Sequence, residues 1–213
     1  MLKRIFLVRH AQSEEDIDPC LHSVVPDRRI SITTTGKKQA LEIVGNLSQE
    51  INLYQRVKVI TSPSNRADQT MSLFCSSFPL VNFDVTVEPR IRNLNWGNVD
   101  EKTIKEVEKE RYRIGVLHFQ FPQGDYTPDF VHDIEQFIEE LKSDGASNDH
   151  PECVVIFTHG FALRVIVKAF LAITDDEFCF FANPPNCYVA ALFNTGCGQF
   201  ILEKPLPKID FNV

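Results

Sequence analysis

The chain has 213 residues, 43% of them hydrophobic, enough for one substantial core, and it is read as a single domain over residues 1–213. Its 22 Lys and Arg against 29 Asp and Glu leave a net charge of −7, which argues against a broad electrostatic footprint for nucleic acid or anionic lipid. Any anion must therefore be held by a local cluster. No apolar run approaches the ~20 residues of a membrane helix, and the opening MLKRIFLVRHAQSEED lacks the apolar stretch and cleavage site of a signal peptide, so a cytoplasmic protein without membrane contact is expected. The six cysteines are scattered, with no C-x-x-C pair to suggest zinc or redox chemistry, and are read as reduced, mostly buried thiols.

In chain order, KRIFLVRH reads as a strand. After a polar, irregular stretch, Ala40, Val44, Leu47 and Ile51 recur at helical spacing, and a Thr-rich segment opens that helix. RVKVITS is the next strand, followed by a helix carrying Ala67, Met71, Phe74 and Phe78. A strand within DVTVEPR precedes a highly charged segment from Asp100 to Arg113, read as a solvated helix whose charges form a wet face. Thr127-Pro128-Asp129 starts a further helix, with Phe130, Ile134, Phe137 and Leu141 as its buried stripe. SDGASNDHPE is turn-rich, ECVVIFT is a continuous apolar strand suited to the middle of a parallel sheet, and GFALRVIVKAFLAI follows as a helix. CYVAALFN and QFILEKP, joined by NTGCG, read as a hairpin on the sheet edge. The expected architecture is a three-layer α/β/α fold around a mostly parallel central sheet, with an insert over about residues 88–126.

Ligands of open α/β sheets bind at the carboxyl ends of the strands. Three strands end there in polar residues: Arg9-His10, TSPSN leading to Arg66, and Thr158-His159-Gly160. Arginine presents a rigid fork of donors matched to phosphate oxygens, and imidazole is a donor when protonated or a nucleophile when neutral. Each signal alone is equally a cap, a turn or a surface ion pair. Their equivalent placement points to a phosphate group as the guest.

LVRHAQS, TSPSNRADQT and FTHG, in this order, resemble the histidine phosphatase superfamily, also called the phosphoglycerate mutase-like family, whose first motif is R-H-G or R-H-A. The resemblance covers nearly the whole chain. PDRRISITTTGKKQA, PRIRNLNWGN, FPQGD and NPPNC are similar to the subgroup of small broad-range phosphatases and plant or fungal mutase-like proteins, which tend to show VPD, IREQEWGN, FPNGES and NPPNC. The resemblance implies a phosphoglycerate mutase-like fold and a phosphomonoesterase that needs neither metal nor other cofactor. Neutral His10 would attack phosphorus to give a phosphohistidine, with Arg9, Arg66 and His159 around the equatorial oxygens. Ser13, Asn93 and Gly160 fall at substrate-binding positions. The substrate would be a small-molecule phosphate ester or a phosphoprotein; oligomeric state is unreadable.

Two positions depart from the family pattern. Where the I-R-E pattern supplies an acid to protonate the leaving oxygen, this chain has Asn93, and an amide is no general acid. Asp125 is the first choice of replacement, with Glu88 and Asp100 as others; Asp125 equally suits a turn in PQGDY. Where relatives show S-E-G-N, this chain has Ser13-Glu14-Glu15-Asp16. An aspartate facing the pocket would repel phosphate, and Asp16 is expected to point to solvent instead. Ser13 either donates to substrate or holds the loop. Asn93 also keeps open a second reading, a catalytically weakened phosphoryl-binding or regulatory module. Trp96, Tyr112, Phe119 and Phe121 in the insert either line a substrate cleft or form its own small core. His22, His118, His132 and His150 have no partner motif and receive no role.

Overall fold

A computed structural model describes residues 1–18, 21, 24–100, 102–146, 151–196 and 198–209. Cys20, Cys197, His22, His150 and part of the turn-rich SDGASNDHPE lie outside them. The strands are β1 (Arg4–Arg9), β2 (Arg56–Thr61), β3 (Asn82–Val87), β4 (Cys153–Thr158), β5 (Val189–Asn194) and β6 (Phe200–Leu202). The longer helices are α2 (Thr34–Ile51), α3 (Asn65–Ser76), α4 (Ile104–Ile114), α5 (Thr127–Gly145) and α6 (Gly160–Leu171), with four-residue α1 (Glu14–Ile17) and α7 (Asp175–Phe178). Short 3₁₀ turns cover Asp27–Arg29 and Pro89–Ile91.

One sheet has the order β3-β2-β4-β1-β5-β6. β1, β2, β3 and β4 run parallel, while β5 and β6 form the expected antiparallel hairpin, with β5 against β1. Side chains alternate between the two faces with period two. Ile5, Leu7, Val154 and Ile156 join α5 and α6 in one cluster, whereas Phe6, Val8, Val155 and Phe157 join α2 and α3 in another. These are the three layers the sequence predicts, and the helices fall where the periodicity put them. The wet-face expectation for the charged segment fails at Arg111 of α4, which is buried, its guanidinium packed over the Trp96, Phe121 and Phe161 rings.

Register fixes the site. Arg9 sits beside Thr158, and Thr61 beside Phe157, so the central strands β2, β4 and β1 end level with one another. Beyond the strands, the His10 amide donates to the Thr158 carbonyl at 2.9 Å and the Ser62 amide to the Phe157 carbonyl at 2.9 Å. The loop after His10 is pinned from several sides. Its Ala11 amide donates to Thr70 Oγ1 (3.0 Å) and its Gln12 amide to Gln39 Oε1 (2.9 Å), while the Gln12 carbonyl accepts from the Thr33 amide (2.9 Å).

Gly36, in the first turn of α2, is what lets that loop lie so close. A Cβ there would meet the Gln12 carbonyl oxygen at 2.2 Å, a backbone atom that cannot step aside. Gly36→Ala is therefore expected to cost about 1–3 kcal/mol, the usual range for overpacking, seen as a lower urea midpoint at unchanged m-value.

Candidate active site

The polar strand ends converge on a cavity of about 220 Å³ lined by Arg9, His10, Arg66 and His159 among others. His10 is 5% exposed, and Arg66 and His159 are 1% exposed. The two imidazoles face each other with ring centroids 5.1 Å apart.

Hydrogen bonding sets both tautomers. His10 Nδ1 lies 2.8 Å from the Ala11 carbonyl, which can only accept, so Nδ1 carries the proton. Nε2 is left with its lone pair, and Arg66 Nε donates to it at 3.3 Å. At His159 the order is reversed: Arg66 Nη2 donates to Nδ1 (3.4 Å), and Nε2–H faces the Ser62 hydroxyl (2.9 Å) and the Ser64 hydroxyl (3.2 Å). Burial, followed by the charges of Arg66 and Arg9, pushes the His10 pKa down to about 3. Burial and the same arginines, with His10 between them, hold His159 well below the ordinary imidazole range. Both rings are neutral in the resting site.

Each of the two arginines rests on oxygen acceptors. Arg66 donates to the Asp27 carboxylate (2.7 Å) and carbonyl (3.1 Å), and Glu15 lies 3.5 Å from its Nη2. Arg9 donates to the Pro184 carbonyl and to Asp16 Oδ1 (3.2 Å), while its buried Nε has no partner among the described residues. Gly160 is the first residue of α6, whose first turn offers backbone N–H groups at the cavity wall.

Asp16 does not point to solvent. It lines the cavity, bonded to Arg9, to the Ser13 amide (2.7 Å) and hydroxyl (2.8 Å), and to Asn186 Nδ2 (3.2 Å). Burial works against its charge, but the Ser13 donors, with Arg9 beyond them, keep its pKa below the ordinary value. Ser13 is accordingly buried and holds the loop.

Asp125 lies outside the histidine cavity. Both its oxygens accept from Arg92, at 2.5 and 3.0 Å, and Oδ2 also accepts from the Asn95 amide at 2.7 Å, so it clamps the loop at 92–95 to the FPQGD turn. Glu88 is paired to Arg90 and Asp100 caps Thr103, so neither is turned to the histidines. Asn93 does line the cavity, and its Nδ2 donates to Asp27 Oδ1 at 3.2 Å. The insert aromatics divide: Phe119 and Phe121 are buried in the core, while Trp96 and Tyr112 line the cavity. The chain matches the profile of the histidine phosphatase superfamily (branch 1) over residues 5–203.

The chain belongs to the histidine phosphatase superfamily. It is 30% identical over 203 residues to the phosphoglycerate mutase-like protein AT74 of Arabidopsis thaliana, covering 89% of this chain and 64% of AT74. It is also 30% identical over 133 residues to the broad-range acid phosphatase DET1 of Saccharomyces cerevisiae, covering 60% of this chain and 40% of DET1. The chain thus spans less than two thirds of either relative. Among solved structures, a mycobacterial glucosyl-3-phosphoglycerate phosphatase superposes with a TM-score of 0.75 at 17% identity, covering 96% of this chain and 99% of that one. At that identity the likeness speaks for the fold.

Sequence reasoning does not single out several residues in and around this pocket. Asn183 and Asn186 lie in NPPNC and Asp27 in PDRRISITTTGKKQA, stretches whose subgroup similarity assigns no role to a single residue; Asn183 lines the cavity, Asn186 donates to Asp16, and Asp27 accepts from Arg66 and Asn93. Arg111 and Arg164 line the cavity, and burial lowers both, Arg164 to about 10. Arg111 sits 5.3 Å from the Trp96 ring and 4.9 Å from the Phe161 ring with its Nε unpartnered among the described residues; only the tertiary fold brings it there.

Two outcomes follow from these electrostatics. The unfolded chain protonates His10 near pH 6.5 but the folded chain resists down to about 3, so this stability is complete above pH 6.5 and is lost as pH falls toward 3. Urea midpoints between pH 7.5 and 4.5 should show a loss of about 1.4 kcal/mol per pH unit at most from this group, reduced in His10→Asn. Asp16→Asn keeps an acceptor for Arg9 but removes the charge facing an incoming anion, so orthovanadate should bind about fivefold tighter in a calorimetric titration.

Proposed function

We propose that this histidine phosphatase superfamily member is a phosphomonoesterase that acts through a phosphohistidine on His10, on small-molecule phosphate esters. The observation that carries the reading is the His10 tautomer: a neutral ring, its Nδ1 proton engaged by the Ala11 carbonyl and its Nε2 lone pair turned to the Arg66 guanidinium. Such a ring is a nucleophile as it stands.

In the proposed reaction Nε2 attacks phosphorus in line with the leaving oxygen, and water later hydrolyses the phosphohistidine. Arg9 and Arg66 turn from Asp16 and Asp27 toward the phosphoryl oxygens. The rigid guanidinium fork suits two of those oxygens at once. His159, neutral at rest, gains affinity for a second proton when a dianion lies beside it, and as an imidazolium it donates from Nδ1 to the phosphoryl group. Fixed donors in a buried cavity are worth more to the transition state than the same groups in water, because they need no reorganisation. That a relative is a broad-range acid phosphatase supports the reaction class.

Asn93 favours a second reading, a phosphoryl-binding module with weakened catalysis, since it occupies a position where an acid would assist the leaving group. Steady-state hydrolysis of para-nitrophenyl phosphate separates the two. A phosphatase turns the substrate over, loses turnover in His10→Ala, and is slowed by about two to three orders of magnitude in Arg66→Ala. Vanadate binding without any His10-dependent turnover would instead leave the binding module.

A further inference from the structure

The cavity that holds the histidines is too small for most phosphate esters, but it has a neighbour of about 770 Å³. The two share Asn93, Leu94 and Trp96 in their walls. Under the phosphomonoesterase reading, the phosphoryl group occupies the small cavity and the rest of the ester the large one. The scissile oxygen then lies at the shared wall, and a proton donor has to reach that wall.

Asp27 is the carboxyl there. It lines the large cavity, and its Oδ1 accepts from Arg66 Nη2 at 2.7 Å and from Asn93 Nδ2 at 3.2 Å, two residues that line the small one. Glu15, Asp16 and Glu108 line the small cavity without reaching the large one. Asp125 reaches the large cavity, but both its oxygens are taken up by Arg92. We propose that Asp27 is the proton donor to the leaving oxygen, doing from the opposite side of the junction what Asn93 cannot; the inference rests on the phosphomonoesterase reading.

The pairing also says which oxygen carries the proton. At rest Oδ1 accepts two N–H groups, and the Asn93 amide stays on it when Arg66 turns to the phosphoryl group, so protonation falls on Oδ2. At rest Asp27 is a carboxylate paired with Arg66. A phosphate dianion competes for the same guanidinium and brings more negative charge beside the carboxylate; a proton taken up from the buffered solvent as the substrate binds relieves both, and the side chain is 44% exposed for that exchange. When the His10 Nε2 lone pair forms the N–P bond, the P–O bond breaks, its electron pair stays on oxygen, and that oxygen takes the Oδ2 proton. In the second half, water attacks phosphorus and gives a proton back to the Asp27 carboxylate as the N–P bond breaks and the pair returns to Nε2. Asn93 acts as a positioning residue, its amide orienting Oδ1.

Asp27→Asn is the test, because a carboxamide oxygen still accepts from Arg66 and Asn93 while the acidic proton is gone. Turnover of an alkyl phosphate should fall about 100-fold, and at least tenfold more than that of para-nitrophenyl phosphate, whose leaving group needs little protonation. Across substituted phenyl phosphates the rate should depend more steeply on leaving-group pKa than in the wild type. Adding Asn93→Glu to Asp27→Asn, which sets a carboxyl at the same junction, should restore alkyl turnover. Equal losses on alkyl and aryl substrates would overturn the assignment in favour of a purely positional role for Asp27. The alkyl-selective loss appearing in Glu15→Gln instead would overturn it too. An absence of His10-dependent hydrolysis on either substrate would remove the phosphatase reading itself, a result distinct from both.

Discussion

The buried guanidinium of Arg66 is the constraint on which the rest of the site depends. A cation taken out of water costs several kcal/mol unless its donors are met, and Arg66 is 1% exposed. Its partners are the Asp27 carboxylate, the Asp27 carbonyl and one nitrogen of each imidazole. An imidazole nitrogen accepts only when it carries no proton. One buried arginine thereby selects the neutral form of both histidines, and in each it selects the tautomer. His10 is left with Nδ1–H on a backbone carbonyl and its nucleophilic nitrogen inward; His159 is left with Nε2–H on the Ser62 hydroxyl.

Arg66 can impose this only because the sheet holds the three contributors still. β2, β4 and β1 are adjacent and end in register, so His10, His159 and the first turn of α3 are set down within one hydrogen-bond network. Each strand is buried on both faces, and the loop after His10 is held at Ala11, Gln12 and Ser13. The Gly36 contact with the Gln12 carbonyl closes that loop from the α2 side. Fold and protonation state are in this sense one problem, because a looser loop would admit water and weaken the neutrality of His10.

The continuous apolar runs of β1 and β4 and the helical stripes of α2, α3 and α5 made the layers legible in the sequence, since a strand buried on both faces loses the polar half of its alternation. The strand-end rule likewise brought out Arg9, His10, Arg66 and His159, because sequence places residues on elements and these four sit at the same end of adjacent strands. What the sequence could not supply was direction. Whether Asp16 faces solvent or the cavity depends on a bond to Ser13 three residues away, and whether Asp125 is an acid or a clamp depends on Arg92, 33 positions earlier. Arg111 looked like one more charge on a solvated helix, because nothing local marks it for burial under three aromatic rings.

In the resting pocket the two arginines nearest His10 are each paired with a carboxylate, Arg9 with Asp16 and Arg66 with Asp27. This lowers the cost of burying the cations, and it means that an anion binds by exchange: its affinity is the difference between two sets of charge-assisted bonds. A singly charged ligand gains little over the carboxylates already present, whereas a phosphoryl dianion can meet both guanidinium groups with one rigid set of oxygens. The exchange also has a direction, because each displaced carboxylate then faces the added negative charge. Asp16 is tied by Ser13 and Asn186 and keeps its charge there, opposing the ligand. Asp27, open to water at the junction of the two cavities, is free to answer the same charge by taking up a proton, so the arrangement that tempers phosphate binding also loads the group proposed to release the leaving oxygen.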